Sequence, residues 1–169
     1  MTKQRIGRKS RLIGAAGAIT ALGALTVQHT GAWEGLRLVA YQDVVGVWTA
    51  CYGETKNIKP GMKFTKDQCN IMFIDRLQEF ETNMRACLND PDGIPGKSYV
   101  AFLSLSYNIG SHAFCHSTAA RRANAGNIEG ACHAIRSWNK AGRPLRVVKG
   151  LDNRRRDEEK LCLEGANEG

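Results

Sequence analysis

An α+β fold is expected for this chain, with a small β-hairpin followed by a larger set of helices. Three observations predict it. Residues 36–51 gather Val39, Tyr41, Val44, Val45, Val47, Trp48 and Thr49 around Gly46, a β-rich stretch with a turn in its middle. Behind Thr65 and Gln68, which have the form of a capping box, Cys69, Phe73, Leu77, Phe80, Met84 and Leu88 recur at helical spacing. The 169 residues, 43% hydrophobic and 24% charged, suit one compact domain, and no repeat or long linker divides them.

The chain opens on Lys3, Arg5, Arg8, Lys9 and Arg11, five positive charges without an acid. The remaining 158 residues hold 19 basic against 16 acidic side chains, a net of +3. A basic head on a mildly basic body argues for membrane insertion or an anionic surface, and against a nucleic-acid partner. Residues 12–27 are uncharged, and the run reaches Trp33 if Gln28 and His29 are tolerated. As a helix, residues 12–33 would span about 33 Å, close to the hydrocarbon thickness of a bilayer. Ten of the sixteen residues from 12 to 27 are Gly, Ala or Thr, so the hold on the bilayer would be loose. Three readings fit: a secretory signal cleaved near Thr30, Gly31 and Ala32, a permanent anchor, or an uncleaved export segment that enters the membrane and later leaves it. The scarcity of large apolar side chains counts against the permanent anchor. Either export reading leaves the cationic end in the cytoplasm and carries everything after Trp33 outside it.

After the hairpin and the long helix, Pro91, Gly93, Pro95 and Gly96 break the pattern. Val100, Leu103, Ser104 and Tyr107 restore it up to Gly110, and two further helices are expected at about 127–139 and 150–163. The aromatic and Met side chains on these faces are assigned to the core, and no cofactor is expected. Cys51, Cys69, Cys87, Cys115, Cys132 and Cys162 all lie downstream of the apolar run, which an oxidising compartment explains. A metal site is not expected. There is no C-x-x-C, and the cluster of His112, Cys115 and His116 lacks a second cluster of ligand spacing. Six cysteines allow about 15 connectivities, among which the sequence alone does not choose.

The chemistry concentrates in residues 34–49. Glu34 ends a helix-compatible segment, and Asp43 follows on the β-rich stretch. Two carboxylates on different elements can face each other across a cleft, as glycoside hydrolysis requires: one protonates the leaving oxygen, the other attacks the sugar or activates a water. Spacing alone does not separate this pair from ordinary surface acids.

The string E-G-x-R-x-x-x-Y-x-D-x-x-G-x-x-T, here Glu34, Gly35, Arg37, Tyr41, Asp43, Gly46 and Thr49, resembles the active-site motif of phage-type lysozymes, the muramidases of tailed-phage endolysins. The likeness extends to Tyr107, Asn108, Ile109 and Gly110 with Phe114, Ser117 and Thr118, to Gly150 and Leu151, and to the helix carrying Arg154, Arg155 and Arg156. It covers roughly residues 33–163. The loose apolar start is similar to the signal-arrest-release segment of some lambdoid-phage endolysins.

The resemblance implies a lysozyme-like α+β fold whose cleft lies between a hairpin lobe and a helical lobe. It implies an export segment over residues 1–33 and a catalytic domain over 34–169. It also implies hydrolysis of the β-1,4 bond between N-acetylmuramic acid and N-acetylglucosamine in peptidoglycan, causing host lysis. Glu34 would be the general acid, with Asp43 and Thr49 orienting the attacking water, and Tyr41, Asn108, Ser117 and Thr118 would bind substrate. The general acid must arrive protonated and Asp43 ionised, and Thr49 has the donor and acceptors to fix a water. Arg37, three residues after Glu34, is an ion-pair candidate. Inversion is implied, with the carboxyl groups about 6.5 to 9.5 Å apart. The placement of paired cysteines in related endolysins implies sequential pairing of Cys51 with Cys69, Cys87 with Cys115 and Cys132 with Cys162, which closes local loops of about 18 to 30 residues.

Besides peptidoglycan, the expected partners are the host secretion machinery and the inner membrane facing the periplasm, into which the chain is then released. Some relatives carry a cysteine inside the segment that switches the site by disulfide exchange; here there is none, so control would be geometric, through Glu34 being held at the lipid boundary. Two other classes remain open. A lytic transglycosylase would cleave the same bond with one glutamate and no need of Asp43 or Thr49, and a non-catalytic wall-binding protein would bind walls without clearing them.

Overall fold

Thr20 turns the apolar start of the chain into a helix. Its hydroxyl accepts the amide of Gly23 at 3.0 Å, satisfying one of the free N–H groups at the helix start, and donates to the carbonyl of Arg11 at 2.7 Å. The computed structural model describes residues 10–169, and helix α1 occupies Ala21–Glu34. Of the cationic start, Arg11 lies within the described residues and Lys3, Arg5, Arg8 and Lys9 lie outside them. Residues 12–19 form a loop closed by a bridge between Ile13 and Ile19, with Leu12 fully buried, rather than continuing the helix. Against a folded domain the loop can bury Leu12, and Gly17 takes φ +76°, which a helix does not allow. At 14 residues α1 is about 21 Å long, and no described helix is long and apolar enough to cross a membrane.

The buried face of α1 is Gly23, Thr26, Thr30 and Gly31. A Cβ at Gly23 would stand 2.3 Å from the carbonyl oxygen of Leu12, and one at Gly31 would stand 3.0 Å from the Tyr52 ring. Small side chains are therefore what let this helix lie close. The strap ahead of it is fastened on Glu81, which is buried and accepts from Ser10 Oγ at 2.5 Å, the Arg11 amide at 2.7 Å and Tyr99 Oη at 2.6 Å. Arg11 stacks its guanidinium over the Tyr99 ring at 4.4 Å, and burial, with Glu81 beside it, pushes the Tyr99 hydroxyl far up.

Strands β1 (Arg37–Gln42) and β2 (Trp48–Cys51) form the expected hairpin, antiparallel, with Tyr41 opposite Thr49 and Gln42 opposite Trp48. Helix α2 (Lys66–Cys87) starts on the expected capping box: Thr65 Oγ1 accepts the Gln68 amide, and Gln68 Oε1 accepts the Thr65 amide. Helix α3 (Gly96–Ile109) is buried along residues 98–106 and forms the centre of the helical lobe. Short helices α4 (Ser111–Cys115) and α5 (Thr118–Asn124) follow, then α6 (Ile128–Ala134), which tightens into a 3-10 turn at Ile135–Ser137. A second small hairpin, β3 (Lys140–Ala141) and β4 (Arg146–Val147), leads into α7 (Lys149–Glu168), which lies along α3. Ser98 Oγ donates to the Cys162 carbonyl at 2.7 Å, and a Cβ at Gly165 would stand 2.5 Å from the Ser98 amide. The result is a small hairpin lobe beside a larger helical lobe.

Helices were expected at about 127–139 and 150–163; the first is shorter, because the 3-10 turn ends it, and the second runs on to Glu168. The elements without a sequence signal, α4, α5 and β3–β4, are too short for hydrophobic periodicity to register. Disulfides join Cys51 to Cys69, Cys87 to Cys115 and Cys132 to Cys162, in sequential order. They tie the first hairpin to α2, α2 to α4, and α6 to α7.

Asp152, in the first turn of α7, accepts from Asn139 Nδ2 at 2.8 Å and Arg156 Nε at 2.8 Å, and pairs with Arg136 at 3.4 Å. These bonds, that from Asn139 foremost, hold its carboxyl at about 2 against the usual 3.8. A carboxylate depressed by folding adds stability above its unfolded value and loses it as pH falls through the folded one. The corner joining β3–β4 to α7 is therefore expected to loosen between about pH 4 and pH 2, seen as faster amide exchange over residues 140–148. Asp152→Asn is expected to abolish that dependence.

Candidate active site

Glu34 is the last residue of α1 because Gly35 takes φ +74°, which turns the chain out of the helix while its N–H bonds back to the Gly31 carbonyl at 3.2 Å. The Glu34 side chain is 21% exposed, and its Oε1 lies 2.8 Å from Nη1 of Arg154 on α7. Arg154 is 6% exposed and reaches Glu158 Oε1 through Nε at 3.1 Å. Glu158, fully buried, also holds Arg155 at 2.7 Å and accepts from Ser104 Oγ at 2.7 Å. Glu34 thus stands at the edge of a buried lattice in which two arginines share one glutamate. Burial pushes the Arg155 guanidinium down, and the Glu158 charge opposes that shift. The Tyr107 hydroxyl is pushed up chiefly by burial, then by the negative charge of Glu34.

The spacing of Arg37 from Glu34 suggested an ion pair; the structure pairs Glu34 with Arg154 instead. Gly35 breaks the helical phase, so Arg37 begins β1 rather than lying one turn along the helix, and its guanidinium sits over the Tyr41 ring at 4.3 Å.

Asp43 sits in the turn between β1 and β2. Its Oδ1 accepts the amides of Val45 at 3.0 Å and Val47 at 2.8 Å, and its own N–H donates to the Val47 carbonyl at 2.9 Å. Among the described residues Oδ2 has no protein donor. Gly46, at φ +82°, supplies the left-handed position that closes this turn. Thr49 follows on β2, buried, with its hydroxyl donating to the same Val47 carbonyl at 3.1 Å. Asp43 and Thr49 are thereby anchored to one residue, Val47. Glu34, Asp43 and Thr49 belong to a single helix–hairpin unit: helix end, turn and returning strand.

Of the four residues expected to touch substrate, Tyr41 is half-buried under Arg37, and Thr118 Oγ1 accepts from Arg121 at 3.3 Å. Asn108 gives its Oδ1 to Arg155 at 3.0 Å. Ser117 is buried and caps α5 by accepting the Ala120 amide at 3.1 Å. Asn108, Ser117 and Thr118 thus each make a hydrogen bond within the helical lobe. Sequence reasoning missed Arg154 as the partner of Glu34 and Glu158 as the residue that holds Arg154, although Arg154 and Arg155 stand four and three residues before Glu158, the spacing of helix ion pairs. A groove of about 530 Å³ is lined by Ile19, Val27, Gly31, Leu36, Tyr52 and Asn70 among others, and holds none of Glu34, Asp43 and Thr49. Among the described residues no cluster of His, Cys, Asp and Glu is arranged to hold a metal ion.

The phage lysozyme family profile matches residues 31–158, a span holding Glu34, Asp43, Thr49 and the arginine lattice. The chain is similar to a SAR-endolysin of Enterobacteria phage P21, 36% identical over 154 residues that cover 88% of this chain and 90% of the relative. Among solved structures it is similar to an endolysin from Escherichia coli O157:H7 phage FAHEc1, with TM-score 0.76 and 31% identity over 86% of this chain and 94% of that one. It is also similar to a variant of P22 lysozyme, with TM-score 0.76 and 28% identity over 91% and 99%. The overall fold is thus shared with these structures, and the chain belongs to the phage lysozyme family, a peptidoglycan-lytic glycoside hydrolase of the muramidase type.

Proposed function

We propose that the enzyme hydrolyses the β-1,4 bond between N-acetylmuramic acid and N-acetylglucosamine with inversion, Glu34 acting as general acid while Asp43 and Thr49 hold the attacking water. The observation that carries this reading is the Glu34 carboxylate, partly buried at a helix end with Oε1 taken by Arg154. That leaves Oε2 to carry the proton to the leaving oxygen. As the proton departs, the guanidinium is already in place to stabilise the carboxylate left behind, the kind of preorganised electrostatics that lowers a barrier. Asp43 Oδ1 is occupied by two backbone amides, which leaves Oδ2 to take a proton from water. The Thr49 hydroxyl supplies the second contact that fixes that water. Tyr41, Asn108, Ser117 and Thr118 are the residues proposed to touch the glycan.

Residues 1–33 are proposed as an export segment and residues 34–169 as the catalytic domain. The segment would pass the host secretion machinery, rest in the inner membrane and then be released into the periplasm, and the packed α1 corresponds to the released form. The names borne by relatives such as the P21 SAR-endolysin support this reading, as does the small-residue face of α1. Mass spectrometry of muropeptides after digestion tests the chemistry. Reducing ends are expected, ending in N-acetylmuramic acid; anhydro products would instead identify a transglycosylase, and intact glycan a wall-binding protein.

A further inference from the structure

Asp157 stands on α7 three residues after Arg154, and the catalytic reading gives it no task. Its Oδ2 accepts the indole N–H of Trp33 at 2.8 Å and lies 3.0 Å from Nε2 of His29. His29 and Trp33 are four residues apart on α1, hence on one face of it, and Trp33 is the residue immediately before Glu34. The His29 side chain is only 11% exposed. Nε2 can present an N–H to the carboxylate whether the ring is neutral or protonated. Helix α7 therefore meets the end of α1 twice, with opposite signs: a carboxylate accepts from Trp33 and lies beside His29, and a guanidinium faces Glu34.

We propose that Asp157 is a positioning residue for the reaction, fixing the rotation of α1 about its own axis and so aiming the Glu34 carboxylate. The inference rests on Glu34 being the general acid. Helix ends fray, and this one is followed by glycine, carries no basic residue in its last turn, and has a glycine at position 31. Left to itself, such a turn would let Glu34 swing, and a misplacement of about 1 Å can cost about 10²-fold in rate. Arg154 alone fixes one atom of Glu34. With Asp157 bonded to the preceding residue and lying against His29 of the preceding turn, the helix end is attached to α7 at both Trp33 and Glu34 and is kept from rolling.

The test compares Asp157→Leu, Asp157→Asn, Trp33→Phe and the Trp33→Phe/Asp157→Leu pair in the full chain, with turnover of isolated peptidoglycan normalised to folded protein. Asp157→Leu is expected to lower kcat about tenfold with KM unchanged, since an aiming defect weakens the transition state and not glycan binding. Asp157→Asn keeps an acceptor oxygen for the Trp33 indole and is expected to restore most of the rate. Trp33→Phe is expected to lower kcat by itself and to add nothing in the Asp157→Leu background, as contacts made through one atom should couple. The Trp33 indole proton, protected from exchange in the parent, is expected to lose that protection in Asp157→Leu. An unchanged kcat per folded molecule, or additive losses for the pair, would overturn the proposal. If Asp157→Leu does not fold, Trp33→Phe and Asp157→Asn decide it: a lowered kcat in the first and near-parental kcat in the second support it, and the opposite pattern defeats it. If Glu34→Gln proves fully active the acid assignment falls instead, and the indole signal reports separately whether Asp157 orders the helix end.

Discussion

Glu34→Gln is expected to leave the fold intact and to cut peptidoglycan turnover by about 10² or more, the usual scale of general acid catalysis. Glutamine has the shape of glutamate and offers Arg154 a carbonyl oxygen in place of Oε1, so the contact at 2.8 Å survives in neutral form. Only the transferable proton is lost. Clearing of a cell-wall suspension measures the rate, and an unchanged thermal transition certifies the fold. Asp43→Asn is expected to impair turnover as well, since the amide cannot take the proton of the water. Thr49→Ala is expected to be the mildest of the three, because Thr49 orients water without carrying charge. A fully active Glu34→Gln enzyme would sink the acid assignment. Undiminished cleavage by Asp43→Asn would point to the transglycosylase route.

The helix–hairpin unit that bears these residues was legible in the sequence because every signal in it is local. Glu34 is followed by a glycine that ends a helix, Gly46 sits where a turn needs a left-handed residue, and Val39, Tyr41 and Trp48 favour strands. The same holds for α2, where Thr65 and Gln68 are three residues apart and reciprocally bonded. The partner of Glu34 was not legible. Arg154 lies on the last helix, and a contact across that separation leaves no periodic trace in the chain; Arg37, near in sequence, is carried away by the break at Gly35. Asp157 escaped for the same reason, its donor Trp33 and its neighbour His29 lying on the first helix. The hydrogen bonds of Asn108 to Arg155 and of Ser117 to the start of α5 were equally invisible in the string of likeness, since the first crosses to the last helix and the second belongs to a helix too short to show a period.

The composition of the apolar start has a second physical meaning that the structure brings out. Under the proposed export, the Gly, Ala and Thr content of residues 12–27 makes for a weak membrane segment, and two of those small residues, Gly23 and Thr26, belong with Thr30 and Gly31 to the face by which α1 packs on the domain. In that proposal Gly23 and Thr26 would both lower the cost of leaving the bilayer and permit the close approach that follows. Gly23 shows how tightly the two are coupled, since a side chain there would collide with the Leu12 carbonyl. A leucine at Gly23 would strengthen insertion and block docking together, and its phenotype could not be attributed to either.

Leucine at Ala15, Ala16 and Ala18 separates the two effects. All three alanines are exposed in the loop ahead of α1, so larger side chains there meet solvent and leave the packed form intact. Within a bilayer each leucine favours insertion by about 0.3 to 0.6 kcal/mol, so the triple variant gains about 1 to 2 kcal/mol. That is about 5- to 30-fold in the equilibrium between membrane and released chain, enough to matter for a segment so weakly held. Lysis is expected to be delayed or abolished, with the protein retained in the membrane fraction. Once extracted and refolded, the variant is expected to clear isolated peptidoglycan at the parental rate, because Glu34 still reaches Arg154. The membrane potential acts on the same equilibrium at about 2.3 kcal/mol per charge moved through 100 mV, so its collapse is expected to release the parent and to release the variant less. Lysis on the parental schedule, or a mature chain beginning at or beyond Trp33, would mean that residues 1–33 are an ordinary cleaved signal and do not restrain the enzyme.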